Sequence, residues 1–199
     1  VARVLVVSAE PVGARMAGPA IRARELAVAL AAHHDVTLAA PDSTDAGDPR
    51  VRVVSAGFVD YDRLSAAVAE ADVVVAQELP ARLLSRLPRL GTRLVADMYN
   101  PTVFEVLEAG RDKTPPARLR QQRGVAMSVI AHLAAADHVV CASEKQRDLW
   151  AGFLLAQKLI VPSLYDSDPS LNRFLAVVPF GLSSIPPAMN GRGLRETLG

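Results

Sequence analysis

The chain has 199 residues, enough for one domain with a sizeable core and too few for two large ones. Half of the residues are hydrophobic (50%) and 22% are charged, which excludes a disordered chain. The formal net charge of +1 gives no overall basis for nucleic-acid binding. A single cysteine, Cys141, excludes an internal disulfide, and no apolar run has the length of a secretory signal or a membrane span. We therefore expect a cytoplasmic protein.

Short β-branched runs alternate with longer helical patterns along the chain, which predicts a parallel sheet with right-handed crossovers. The expected strands are nearly continuous apolar runs: Arg3–Val7, Val36–Ala40, Val51–Ser55, Asp72–Ala76, Arg93–Ala96, His138–Cys141 and Leu175–Val178. The expected helices are Ala20–His33, Asp60–Ala69, Leu79–Leu87, Thr102–Ala109, Pro116–Ala135 and Glu144–Gln157. The predicted fold class is α/β, a Rossmann-like doubly wound parallel sheet of about seven strands with helices on both faces.

The final residues differ in composition from the rest. Residues 183–191 are rich in Pro, Ser and Gly, which is typical of a linker, and residues 193–199 begin another helical pattern. We expect one Rossmann-like domain over residues 1–182, followed over residues 183–199 by a linker and the start of a further domain.

Ligands of doubly wound sheets bind beyond the carboxyl ends of the strands. This rule selects five loops: Ser8–Gly18, Gln77–Pro80, Asp97–Pro101, Ala142–Lys145 and Pro179–Ser183. Gly18 gives backbone freedom before a helix whose first N–H groups suit a phosphate or carboxylate. An ordinary helix start behind a flexible loop is the alternative. One turn into that helix, Arg22 either pairs with Glu25 on the surface or faces the cleft.

Carboxylate and amide groups follow two neighbouring strands. Asp97, Tyr99 and Asn100 come directly after the fifth strand, and Glu78 lies in the loop after the fourth. These groups suit sugars because they hydrogen-bond vicinal hydroxyls. Asp97 is the candidate catalytic residue, with a helix-cap or turn role as the alternative.

The loop after the sixth strand contributes Ser143, Glu144 and Arg147, and Arg147 suits an anionic group. Ser143 and Gln146 also fit a capping box, which is a structural explanation for the same residues.

Five basic residues and one acid, Asp112, lie within 13 residues: Arg111, Lys113, Arg118, Arg120 and Arg123. Two explanations stay open for this segment, a solvated helix face and a contact with an acidic substrate or the inner face of an anionic membrane.

Several motifs are absent from the sequence, among them G-x-x-x-x-G-K-[ST], H-E-x-x-H, C-x-x-C and G-x-S-x-G. The dinucleotide fingerprint G-x-G-x-x-G is also absent, since Gly13 and Gly18 stand five residues apart. His132, in an apolar helix, is expected to be a core or surface histidine. We expect no metal ion and no cofactor.

Segments of the chain together resemble family 4 retaining glycosyltransferases. Gly18–Leu30 resembles that family's first loop and helix, Ala136–Glu144 its alanine-aspartate, strand, serine-glutamate segment, and Val177–Leu182 its turn before the interdomain linker. Asp97–Pro101 together with Glu144–Trp150 resembles a bacterial subgroup associated with surface polysaccharides.

The resemblance implies one half of a GT-B enzyme, in which two Rossmann-like domains face each other across a cleft. This chain would be the acceptor-side half, and a further domain would hold most of a nucleotide-sugar donor. It implies metal-independent, retaining transfer of a hexose to a sugar or lipid-linked sugar, and little activity for this half alone. Gly18 would lie near the donor phosphate, with Arg22, Asp97, Tyr99 and Asn100 on the acceptor side.

Departures from the family pattern include Ala17 in place of a second glycine, Phe180 where asparagine is common, and Asp97–Tyr99 where many members place a histidine. Two other functions stay open: a nucleotide-sugar epimerase of the same fold, which needs no acceptor, and a non-catalytic Rossmann-like binding module. An NAD-dependent dehydrogenase ranks last because the glycine fingerprint is missing.

Overall fold

A seven-stranded, all-parallel sheet forms the centre of the chain, with strand order β3-β2-β1-β4-β5-β6-β7. The structure is a computed structural model that describes residues 1–43 and 45–181. The strands are β1 (Arg3–Val7), β2 (Asp35–Ala40), β3 (Val51–Ser55), β4 (Val73–Ala76), β5 (Arg93–Asp97), β6 (His138–Cys141) and β7 (Leu175–Val177). Strand order reverses between β1 and β4, and this confirms the predicted Rossmann-like fold class. The linker and second domain expected over 183–199 lie outside the described residues.

Eight helices are described: α1 (Gly18–Leu30), α2 (Tyr61–Glu70), α3 (Ala81–Leu84), α4 (Leu87–Leu90), α5 (Thr102–Ala109), α6 (Pro115–Ala135), α7 (Glu144–Ala156) and α8 (Pro162–Ser167). The single helix expected over Leu79–Leu87 is wrong, because two short helices occupy this region. Pro88 explains the break: its ring would clash with the carbonyl of Leu84 in a continuous helix, so a new helix starts with Pro88 in its first turn. Helix α8 was not predicted.

Helices cover both faces of the sheet. Side chains alternate along each strand, so Val4 and Val6 of β1 pack on α1, whereas Leu5 and Val7 pack on the opposite face with α2, α3 and α4. In the second half of the sheet, Ala96 joins a core cluster with residues of α6 and α7. Ala96 points to the same face of the sheet as Leu94, whose core cluster includes residues of α2. Helix α1 therefore packs on one face of the sheet, and α2, α3, α4, α6 and α7 pack on the opposite face.

The two edges of the sheet differ in length and charge. β7 has three residues, whereas β3 has five and carries Arg52. The Arg52 guanidinium donates to Thr37 Oγ1 at 3.1 Å and lies 3.3 Å from Glu70 Oε2. Within residues 1–43 and 45–181, no helix has the length and apolar content needed to cross a bilayer.

Candidate functional site

The core of the site is a buried ion pair between α1 and the carboxyl end of β5. Side-chain alternation in β5 turns Ala96 away from α1 and Asp97 towards it. The Arg22 guanidinium donates from Nε to Asp97 Oδ2 at 2.7 Å and from Nη2 to Oδ1 at 2.8 Å, and each side chain is 3% exposed. Glu25 pairs instead with Arg24 at 2.7 Å. The surface pair considered for Arg22 and Glu25 is therefore wrong, and Arg22 is buried against Asp97, which lines the cleft.

Two aromatic rings enclose the Arg22 guanidinium. Its central carbon lies 5.1 Å from the ring centroids of both Tyr99 and Phe180, a cation–π distance. The two rings meet edge to face with centroids 5.3 Å apart, and Arg22 Nη1 donates to the Val178 carbonyl at 3.0 Å. Arg22 therefore connects the loop after β5 to the segment after β7. Sequence reasoning missed this contact. The available signal was Phe180, an aromatic residue at a turn position where the family resemblance suggests asparagine.

Burial and pairing act in opposite directions on Asp97. Burial is the larger effect and raises the pKa of the Asp97 carboxyl, while the hydrogen bonds and charge of Arg22 lower it. Both carboxylate oxygens accept hydrogen bonds from Arg22, so the carboxylate is held in one orientation. Burial also raises the pKa of the Tyr99 hydroxyl, which stays protonated at neutral pH.

Side chains of α7 hold the loop after β5 from the other side. Gln146 Nε2 donates to the Tyr99 carbonyl at 2.6 Å, and Gln146 Oε1 accepts from the Ala142 N–H at 2.7 Å. Trp150 Nε1 donates to the Met98 carbonyl at 2.7 Å. Ser143 Oγ accepts from the Gln146 N–H at 3.3 Å, so the capping role predicted for Ser143 is present. Gln146 departs from the capping box because its side chain binds Ala142 and Tyr99 rather than the Ser143 N–H.

A cleft of about 150 Å³ lies beside this loop, at the carboxyl ends of β4 and β5. Its polar lining comes from Gln77, Glu78, Asn100, Thr102 and Ser128. The lining side chains are linked in pairs: Ser128 Oγ donates to Glu78 Oε1 at 3.2 Å, and Thr102 Oγ1 to Asn100 Oδ1 at 3.3 Å. The cleft therefore presents hydroxyl, amide and carboxylate groups within a small space.

His132 closes the buried side of the cleft. Its Nε2 accepts from the Leu79 N–H at 2.7 Å, and its Nδ1 lies 2.7 Å from the Ser128 carbonyl. The first contact needs an unprotonated Nε2 and the second a proton on Nδ1, which defines the neutral tautomer. His132 is thus the core histidine that one of the two sequence interpretations expected. Among the described residues, no group of three or more His, Cys, Asp or Glu side chains could hold a metal ion.

Gly18 stands at the start of α1, at the same edge of the sheet as the cleft. A Cβ atom added there would meet no described atom within 4 Å, and its φ lies outside the left-handed region. The backbone freedom expected of Gly18 is therefore wrong, because any residue could adopt this conformation. The missing side chain instead leaves open space at the helix N-terminus.

The remaining candidates lie on α7, away from the cleft lining. Arg147 Nε donates to the Leu175 carbonyl at 3.2 Å, and Nη2 donates to the Ser170 carbonyl. Glu144 is exposed, with Oε2 3.9 Å from Arg147 Nη1. Of the predicted site residues, the structure thus places three on the cleft lining, Glu78, Asp97 and Asn100, with Arg22 and Tyr99 in contact behind them.

Comparison with known proteins assigns no family to this chain. No family model matches the chain, and no curated protein matches it. Two solved structures from Veillonella parvula DSM 2008 are similar: a wide-type short-chain dehydrogenase/reductase in complex with NADP (TM-score 0.43, 18% identity) and an ethylated short-chain dehydrogenase/reductase (TM-score 0.43, 17% identity). Each match covers 71% of this chain and 69% of the other chain. From the sequence we expected no cofactor, whereas the first of these proteins is in complex with NADP.

Proposed function

We propose that this chain is the acceptor-side domain of a hexosyltransferase that moves a hexose from a nucleotide-sugar to a sugar or lipid-linked sugar in cell-surface glycan synthesis. The observation that carries the proposal is the polar cleft at the carboxyl ends of β4 and β5, where ligands of doubly wound sheets bind. Following the family resemblance, transfer retains the anomeric configuration and uses no metal ion.

The chemistry of the cleft supports a polyhydroxylated ligand. Asn100, Glu78 and Ser128 offer both hydrogen-bond donors and acceptors, which the vicinal hydroxyls of a sugar require. The cleft volume of about 150 Å³ is below the range of about 300–1,000 Å³ for complete ligand pockets. A cleft of this size accommodates one sugar ring, with the rest of the ligand outside it.

Asp97 acts in this proposal as a positioning residue rather than as the catalytic group. Its two oxygens accept from Arg22, and the pair fixes the backbone that leads to Tyr99 and Asn100. The open N-terminus of α1 at Gly18 would receive the donor diphosphate, since free N–H groups and the helix dipole favour negative charge there.

Ligand binding by this chain is measured first, by titrating ¹⁵N-labelled protein with methyl hexosides, nucleoside diphosphate-hexoses and NADP. We expect methyl hexosides to shift the amide signals of Asn100 and Ser128, and nucleoside diphosphate-hexoses to shift that of Gly18. NADP, the ligand of one structural neighbour, is the competing ligand. If NADP binds and hexosides shift no cleft signal, the sugar-transfer proposal fails.

A matched pair of asparagine variants locates the site. We expect Asn100→Ala to weaken hexoside binding roughly tenfold, because about two hydrogen bonds to hydroxyls are lost. Asn172→Ala removes an exposed amide far from the cleft lining and should bind as the wild type does. In the full-length gene product, labelled hexose should appear in product only when an acceptor is present, with or without a chelator. Conversion of the nucleotide-sugar without an acceptor would instead favour the epimerase.

A further inference from the structure

One exposed face of α6 combines arginines with large apolar side chains. The helix contains three arginines and no acidic residue over Pro115–Ala135. Helical periodicity places Leu119, Arg120, Arg123 and Met127 on one side, here called the α6 face. Leu119 is 48% exposed and Met127 64%, and both arginines are exposed. Single exposed apolar residues are ordinary, but these two flank the arginines on one surface.

The other basic residues of the segment have structural partners. Arg111 lies 2.9 Å from Glu108, Lys113 Nζ donates to Gln121 at 2.8 Å, and Arg118 Nη2 donates to the Leu107 carbonyl at 2.6 Å. Among residues 1–43 and 45–181, no such partner holds Arg120 or Arg123. The positive charge available to a binding partner is therefore concentrated on the α6 face.

Helix α5 extends the apolar surface next to it. Leu107 and Leu119 line one groove of about 400 Å³ between the two helices. Phe104, one turn before Leu107, is 58% exposed. Leu107 of α5 thus lies beside Leu119 of the α6 face, so a partner at this surface meets apolar side chains of both helices as well as the arginines.

We propose that the α6 face docks on an anionic lipid bilayer surface. Arg120 and Arg123 pair with headgroup phosphates, while Leu119 and Met127 enter the boundary between headgroups and acyl chains. Charge complementarity selects an anionic partner, and the large apolar side chains beside each arginine favour lipid over an acidic protein, whose surface would leave them in water. The other side of the same helix lines the cleft through Ser128 and His132, so docking places the cleft about one helix diameter, ~10 Å, from the bilayer surface.

Co-sedimentation of the whole chain with vesicles tests the proposal and needs no sugar donor or acceptor, so its result is independent of the proposed function. We expect binding to vesicles of phosphatidylcholine with about one third phosphatidylglycerol, and little to phosphatidylcholine alone. Arg120→Ala with Arg123→Ala should weaken binding about 25-fold, about fivefold for each arginine. Leu119→Ser with Met127→Ser should also weaken it, since apolar insertion is lost.

Arg82→Ala with Arg89→Ala is the matched control, because it removes two exposed arginines from α3 and α4. It should bind as the wild type does, and circular dichroism confirms that each variant is folded. The proposal is overturned by equal binding to neutral vesicles, by no binding to anionic ones, or by either α6-face variant matching the control. Tighter binding to polyglutamate than to vesicles would also overturn it and assign the face to acidic proteins.

Discussion

Two arginine–aspartate pairs lie at opposite ends of the strands, one at the amino ends and one at the carboxyl ends, with nearly the same bidentate geometry. Arg3 and Asp72 join the amino ends of β1 and β4 with their closest atoms 2.6 Å apart, and their side chains are 60% and 45% exposed. Arg22 and Asp97 meet at the carboxyl edge at 2.7 Å, with 3% of each side chain exposed. The pKa of Asp72 is lowered to about 2 by hydrogen bonds from Arg3, whereas burial raises the pKa of Asp97.

The comparison indicates that the burial of an ion pair, more than its geometry, sets its contribution to the free energy of unfolding. Water can replace either partner of the exposed pair, so losing one member changes little. In the buried pair, the attraction between the two side chains offsets most of the free energy that each charge loses when it leaves water. We therefore expect the two pairs to respond differently to the same substitutions.

The largest effect is expected from removing one member of the buried pair. Arg22→Met leaves the Asp97 carboxylate buried without its partner and should lower the free energy of unfolding by about 3–5 kcal/mol. Arg3→Met, the same change in the exposed pair, should change it much less. Urea denaturation followed by circular dichroism measures both. Equal losses in the two variants would refute the distinction between the pairs.

Replacing both buried partners should restore most of that loss. The double variant Arg22→Met with Asp97→Leu removes the uncompensated charge, and its stability should return to within about 1 kcal/mol of the wild type, or exceed it. Hexoside binding by this double variant should be weaker than that of the wild type, because the loop carrying Asn100 loses its anchor. A double variant as unstable as Arg22→Met alone would mean that the stability comes from packing rather than charge pairing.

The smallest effect concerns acid stability. Asp72 titrates at about 2 in the folded chain and at about 3.9 when unfolded, so its pair contributes stability above about pH 4 and loses it as the pH falls through about 2. The stability difference between wild type and Asp72→Asn should be fully present at pH 6 and mostly lost at about pH 2. It should also shrink in about 1 M salt, which screens an exposed pair. A difference that does not vary with pH would contradict this assignment.

The sheet could be predicted from sequence because each strand is an apolar run in a fold that covers both faces. Predicted strand ends differ from the structure by one residue at most, as at β5, which extends to Asp97. The break at Pro88 was also readable, since proline inside a helical pattern marks a boundary.

The site could be predicted only in part. The rule for doubly wound sheets selected the loops of Glu78 and Asn100, and both residues line the cleft. The pairing of Arg22 with Asp97 joins residues 75 positions apart. It depends on the face to which β5 turns Asp97 and on the position of α1 above that face. Helix periodicity alone left two alternatives for Arg22, a surface pair with Glu25 or an orientation towards the cleft. The position of Phe180 over Arg22 also depends on the strand order, because Phe180 follows β7 and β7 lies beside β6.

The charged edge strand has a consequence for the chain in concentrated solution. An open parallel sheet ends in rows of unpaired backbone groups that can template a strand from another molecule. β7 offers three residues for such pairing, too few for a stable ladder, and β3 carries Arg52 as the second of its five residues. Among the described residues, resistance to edge pairing therefore comes from the short length of β7 and from Arg52 in β3. No residue of β3 or β7 lines the cleft, so substitutions in the cleft lining leave both of these features unchanged.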